Sequence, residues 1–115
     1  MERSFSKALD WIADSRDVVR EFPRDVRVAI GVELDNIQQG LSSSSWKPMK
    51  TIGLGVNELR IKHGDQYRVL YVAKYEEAIY VLHAFKKKTQ KTSKKDLELA
   101  AARFRSLVSW RSSHV

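Results

Sequence analysis

The sequence predicts an α+β fold: β-α-α, followed by a curled antiparallel sheet of three to four strands and a C-terminal helix. Three observations predict it. Val26, Ala29, Ile30, Leu34 and Ile37 recur at helical spacing, and so do Leu97, Ala101, Phe104 and Val108 near the end of the chain. Between them, residues 57–85 switch to period two or to nearly continuous Val, Ile, Leu and Tyr. Helices segregated from a run of strands make an α+β domain rather than alternating α/β units. At 115 residues the whole chain, 1–115, is expected to be one domain with one core.

Residues 5–12, "FSKALDWI", suit a short first strand, although Ala and Leu also suit a helix. Asp14 or Ser15 is a candidate N-cap for a short helix ending at Phe22, with Val18, Val19 and Phe22 inward. Pro23 stops that helix and suits the start of a second, which Gly40 ends. The pair is expected to form an antiparallel helical hairpin. Residues 41–56 are loop, with one short strand near Lys47–Thr51 that Pro48 confines to an edge. In "NELRIKH" (57–63), Leu59 and Ile61 share one face, and Glu58, Arg60 and Lys62 the other. "QYRVLYVAK" (66–74) and "AIYVLHAF" (78–85) are apolar on both faces, as central strands are. Ser93 and Asp96 have the spacing of a capping box in which each bonds the other's backbone N–H. The helices are expected on one face of the sheet, leaving the other free for a ligand.

Charge is unevenly distributed. Lys plus Arg is 21 and Asp plus Glu is 14, a net +7. "AFKKKTQKTSKK" (84–95) holds six lysines and no acid, so the remaining 15 basic residues nearly balance the 14 acids. A positive block on a balanced domain points to a localised polyanion site, with a solvated lysine loop as the plain alternative. There is no cysteine, which excludes disulfides and thiolate chemistry. His63, His83 and His114 lack metal-ligand spacing, so no metal or cofactor is expected. No apolar run reaches the roughly 18 residues of a membrane span. "MERSFSKALD" has an acid at its second position and no apolar stretch, so no cleaved signal and a cytoplasmic location are expected.

"ELRI" (58–61), "YRVLYV" (67–72) and "VLHAFKKKTQKT" (81–92) running into a capped helix together resemble the RelE/HigB-like toxins of bacterial toxin–antitoxin pairs. The resemblance is in particular to the phage-derived HigB-like branch, and it covers about residues 5–108. The resemblance implies a RelE-like fold and an endoribonuclease that cuts messenger RNA in the ribosomal A site, without a metal. It also implies a cognate helix-turn-helix antitoxin of the HigA-like type. By the same resemblance, Arg60 and Lys62 match paired basic residues, Arg68 a strand arginine, and Lys87 the basic residue after the last strand. Where RelE-type members often carry a tyrosine past the lysine segment, this chain has Thr92 and Ser93, so no proton-transfer group is named.

Cleavage of this kind must remove the 2′-hydroxyl proton, neutralise the pentavalent phosphate and protonate the leaving 5′-oxygen. Arginine suits the second task because its planar fork binds two phosphate oxygens. Lysine acts as a point charge, or as acid or base where neighbouring cations depress its pKa. Arg68 and Lys87 are therefore expected to stabilise phosphate charge, with Arg60 and Lys62 positioning RNA or moving a proton. Lys86, Lys88, Lys91 and Thr89 are expected to bind RNA.

Plainer roles stand beside these. Arg68 would serve as an ion-pair partner of Glu58 or Glu77, and Arg60 and Lys62 as an ordinary polar strand face. His83 reads as a buried, hydrogen-bonded residue, His63 as exposed, and Tyr67, Tyr71 and Tyr80 mostly as core. Trp46 reads as a core or partner-contact residue and Trp110 as part of a frayed end. Register discriminates between roles. A two-residue turn at Gly64–Asp65 would set Arg68 opposite Ile61 and away from Arg60, whereas a three-residue turn would set it opposite Lys62, all three cations on one face. Two other functions remain open on this fold: a ParE-like gyrase poison, and a nucleic-acid-binding module that does not cut.

Overall fold

Residues 6–43, 45–88 and 90–114 are described by the computed structural model. Strand β1 (Ala8–Trp11) leads into helix α1 (Ser15–Arg20) and helix α2 (Arg24–Gln38). Strands β2 (Trp46–Pro48), β3 (Val56–His63), β4 (Asp65–Val72) and β5 (Ala78–Lys87) follow, and helix α3 (Lys94–His114) closes the chain. Among the described residues no helix is long and apolar enough to cross a membrane.

The helix boundaries follow local chemistry. Asp14 precedes α1 but its side chain makes no capping hydrogen bond. Ser15 instead is fully buried, and its hydroxyl donates to the Val81 carbonyl at 3.1 Å, fastening α1 to β5. Pro23 stands at the start of α2 with extended ψ of 150°. Gly40, at φ +82°, ends that region in a left-handed conformation that glycine adopts without Cβ strain. The helical hairpin is not the organising contact: α1 packs mainly on β5 and α2 mainly on β3 and β5. Six residues give α1 too little apolar face to form a layer of its own, so the sheet is the only large surface to bury against.

The sheet has five strands in the order β1-β5-β4-β3-β2, mixed rather than purely antiparallel. β1 joins the end of the sheet parallel to β5, with Ala8 opposite Ala78 and Trp11 opposite Val81. β2, carrying Pro48, is the opposite edge, where a missing N–H is tolerated.

The helices do not share one face. Val26, Ile30, Leu34 and Ile37 of α2 pack against Leu59, Ile61, Val69 and Val81. Ala100 and Leu107 of α3 pack on the opposite face, against Val56, Leu70, Val72, Tyr80 and Leu82. The physical reason lies in β4 and β5, whose two apolar faces both require cover. The buried stripe of α3 is rotated from the expected one: Ala100 and Leu107 are its buried residues, while Val108 is 40% exposed. Trp110 is half exposed and lies within α3 about one turn before its end at His114, whose ring stacks on it with centroids 4.6 Å apart.

A bulge in β5 sets the remaining geometry. Leu70 pairs with His83 but Tyr71 pairs with Val81, so Leu82 is an extra residue. Leu82 and His83 consequently both project toward α3, flanked by Val81 and Ala84 on the α2 side. Tyr67, Tyr71 and Tyr80 are all core residues. Burial pushes the Tyr71 hydroxyl up to about 12, partly opposed by a hydrogen bond with Asn57, so it stays neutral.

Candidate functional site

Helix α3 starts at Lys94, and Asp96 in its first turn reaches His83. Beyond His83 on the α3 face the strand residues are polar, Phe85 excepted. Register places them in three rows across β3, β4 and β5: Glu58–Leu70–His83, then Arg60–Arg68–Phe85, then Lys62–Gln66–Lys87. Arg60, Lys62, Arg68 and Lys87 therefore share one face, as a catalytic role requires. The register that achieves this is neither of those considered from the turn. His63 pairs with Asp65 around Gly64 at φ +72°, so Arg68 sits opposite Arg60 rather than Lys62. A shift of two residues conserves the face because strand side chains alternate with period two.

Burial deepens toward α3. Lys62 is exposed and Lys87 half-buried, whereas Arg68 is 5% exposed and Glu58 2%. Glu58 Oε1 accepts a hydrogen bond from Arg60 Nε at 3.0 Å and lies 3.6 Å from Arg68 Nε. The second distance is an ion pair but too long for a hydrogen bond, and Arg68 Nε is left as a buried donor without an acceptor. Arg68 Nη1 donates to Gln66 Oε1 at 3.0 Å and to the Tyr67 carbonyl at 3.3 Å. Burial lowers the Arg68 pKa; Glu58 opposes that shift and Arg60 adds to it. The guanidinium is thus a fixed cation in a dry setting with unused hydrogen-bonding capacity.

Arg68 lines a cleft of about 530 Å³ together with Gln66, Lys87, Lys88 and Gln90. A second cleft of about 460 Å³ shares the Lys87–Lys88 wall and is bordered by Phe85, Lys91, Lys95 and Asp96. Lys88 and Lys91 are exposed at these clefts. Lys86 borders the second cleft but stands opposite Tyr67, on the other face of β5, and its ammonium pairs with Asp65 at 2.9 Å. That pairing makes Lys86 a less available RNA contact than its neighbours. Thr89 lies outside the described residues. Among the described residues no group of three or more His, Cys, Asp or Glu is placed to hold a metal ion.

Three participants were not assigned to the site from sequence. Glu58 was legible only as sharing a face with Arg60 and as one of two partners for Arg68; the other, Glu77, pairs with Arg111 instead. Gln66 is legible only as the first residue of a strand or the last of a three-residue turn. His83 is buried and hydrogen-bonded as expected, but its partner is Asp96 at 2.7 Å, a contact that the β5 bulge creates. Its ring stacks on Phe85, with centroids 5.4 Å apart. Asp96 has a backbone N–H that donates to Ser93 Oγ at 3.1 Å, which is half of the expected capping box. Its carboxylate accepts from the Ser93 hydroxyl at 2.6 Å rather than from a backbone N–H, its other oxygen being taken by His83.

A fixed arginine, flanking lysines and a carboxylate that orients two guanidinium groups form an arrangement suited to binding and polarising a phosphodiester. Comparison with curated proteins finds no match. A family model, Phage derived protein Gp49-like, matches residues 17–105, which include every strand of the site from β3 to β5 and most of α3. The chain therefore belongs to the phage-derived Gp49-like family, which is associated with toxin-type proteins.

Proposed function

We propose that the protein is the toxin of a toxin–antitoxin pair and acts as a ribosome-dependent endoribonuclease of the RelE/HigB-like type. The observation that carries the reading is Arg68: a buried guanidinium, held by Glu58, Gln66 and the Tyr67 carbonyl, that lines a cleft walled by lysines. A solvated ion pair has no need of such a setting. A guanidinium whose own side chain is largely withdrawn from water attracts a developing phosphorane more strongly than a solvated one would.

In this mechanism Arg68 and Lys87 neutralise the charge that builds on the phosphate, without a bound metal. Arg60, oriented by Glu58, and Lys62 on the outer row hold the strand. Lys88 and Lys91 grip adjoining phosphates. The chain provides charge stabilisation more clearly than proton transfer, so the ribosome supplies part of the positioning, and naked RNA is cut poorly. The antitoxin is a helix-turn-helix protein.

The test is expression in cells with mapping of messenger RNA 5′ ends, for the wild type, Arg68→Ala and Lys87→Ala. Cleavage inside translated codons that is lost in both variants supports the reading. DNA damage without RNA cleavage identifies a gyrase poison, and RNA binding with neither identifies a non-cutting module. Either result refutes the nuclease. Lys87 is half-buried and truncation there spares the core, so loss in that variant is not a folding artefact.

A further inference from the structure

Helix α2 buries Val26, Ile30, Leu34 and Ile37 against the sheet, yet its outer side is not the polar surface such a helix ordinarily shows. Val28 is 53% exposed and Val32 56%, and Gly31 lies between them with open space where a Cβ would stand. Arg24, Val28, Gly31 and Asp35 follow one another at intervals of four, three and four, the spacing of a helix-pairing seam. Glycine is the weakest helix former after proline, and no neighbour within this chain requires one at Gly31. A second helix laid closely along that face would.

Charge supports the same pairing. Arg24 opens α2, where the helix dipole disfavours a cation, and Asp35 stands in the last turn, where it disfavours an anion. Among the described residues neither Arg24 nor Arg27 has an ion-pair partner, and Asp35 accepts only the neutral Gln39 amide, at 2.8 Å. Asp25, the acid beside Arg24, is taken by His63 at 3.5 Å. In an antiparallel pair of identical helices these ends become complementary. Each Arg24 then faces the second copy's Asp35, and each Val28 packs over the second copy's Gly31.

We propose that the outer face of α2 is a self-association surface, on which a second copy of this chain docks its own α2 antiparallel about a two-fold axis midway between Val28 and Gly31. The proposal does not depend on the RNA-cleaving reading. Helix α2 covers the sheet face opposite Arg68, so both copies keep their lysine-walled clefts open. The 15 residues of α2 make a contact about 22 Å long. Such a strip buries less than the about 1,200 Å² of a standard interface, so the dimer is weak, with Kd on the order of 10⁻⁵–10⁻⁴ M.

Sedimentation equilibrium of the full-length protein at low salt, from about 10 μM to about 1 mM, should show this monomer–dimer equilibrium. Arg24→Glu sets like charges together at both ends of the seam and should weaken the dimer about tenfold or more. The swap Arg24→Glu/Asp35→Arg restores opposite charges and should return Kd to within about threefold of wild type. Gly31→Gln meets nothing in the monomer and should raise its melting temperature, while weakening the dimer about tenfold by holding the helices apart. A monomer throughout the range overturns the proposal and leaves the face to a different protein. A dimer that Arg24→Glu and Gly31→Gln leave untouched overturns it by placing the contact elsewhere. A loss in Arg24→Glu that the swap fails to recover overturns the antiparallel pairing of Arg24 with Asp35, and the proposal with it.

Discussion

Replacing Glu58 should destabilise the protein more than any other single polar change in the site. Glu58 is 2% exposed and Arg68 5%, and their charged atoms are 3.6 Å apart. At an effective dielectric constant of about 20, that separation corresponds to about 4–5 kcal/mol of attraction. Burial and Arg60 both work against the Arg68 charge, and Glu58 is the group that opposes them. Glu58→Gln keeps the shape and strands the cation. Breaking one partner of a buried pair costs about 3–5 kcal/mol, and the residual amide contacts place this case near the lower end, about 3 kcal/mol. Urea unfolding should show it as a midpoint shift of at least about 1 M, and thermal unfolding as a loss of about 10 °C. Arg60→Gln is the control: its side chain is 39% exposed, so it should cost at most about 1 kcal/mol. The double variant Glu58→Leu/Arg68→Met removes both charges and should recover most of the loss. A Glu58→Gln protein within about 0.5 kcal/mol of wild type would sink the claim that Arg68 is held in a dry setting by this carboxylate.

Other outcomes follow from single features. A Cβ added at Gly53 would lie within 3.0 Å of two ring carbons of Phe104, so Gly53→Ala should cost about 1–3 kcal/mol in calorimetry by displacing that ring. Glu77 accepts hydrogen bonds from Arg111 Nε at 2.6 Å and Nη2 at 3.0 Å, which lowers its pKa from 4.5 to about 2. A depressed carboxylate stabilises the fold fully above its unfolded pKa. That contribution, small for a solvent-screened pair, should fade as pH falls from about 4.5 to about 2. Arg111→Gln should remove that part of the acid dependence, and melting curves across the interval would reveal its persistence. Lys87→Gln/Lys88→Gln should flatten the salt dependence of RNA binding by roughly 1.4 in log–log slope, and an unchanged slope would place RNA elsewhere.

Most of the fold could be read from the sequence because its elements obey local rules. The α2 stripe from Val26 to Ile37, the alternation of 57–63 and the Ser93 cap each depend on residues within a few positions. What escaped the sequence depends on distance. The passage of α3 to the opposite face follows from β4 and β5 needing cover twice, a global requirement that no window of α3 expresses. The Leu82 bulge inverts the parity of Val81 relative to His83, so a period-two count puts those two side chains on one face when they are on opposite ones. The His83–Asp96 pair was therefore invisible as a pair, although each residue had been singled out. At the turn, the sequence suggested a loop at Gly64–Asp65 but not that His63 and Asp65 pair across it. The shared face of Arg60, Lys62 and Arg68 nevertheless holds, since a register error of two residues leaves every side chain on its own side.

The placement of Glu58 explains how the cluster can be both stable and unsatisfied. Four cations facing one another with no acid would repel, and the innermost, Arg68, would be too costly to bury. Glu58 offsets that cost from beneath: it binds Arg60 and Arg68 through a single oxygen and leaves Arg68 Nε without an acceptor. Arg60, Lys62, Arg68 and Lys87 against one carboxylate leave a local charge of +3. Under the proposed reading, a phosphodiester brings one negative charge and its pentavalent form two, so a positive surplus persists through the reaction and interacts more strongly with the later state. That difference is what accelerates chemistry; uniform attraction would only tighten binding. A module that merely holds nucleic acid gains nothing from burying one of its cations, because exposed lysines release counterions equally well. The buried position of Arg68, rather than the number of lysines around it, is the feature that argues for catalysis.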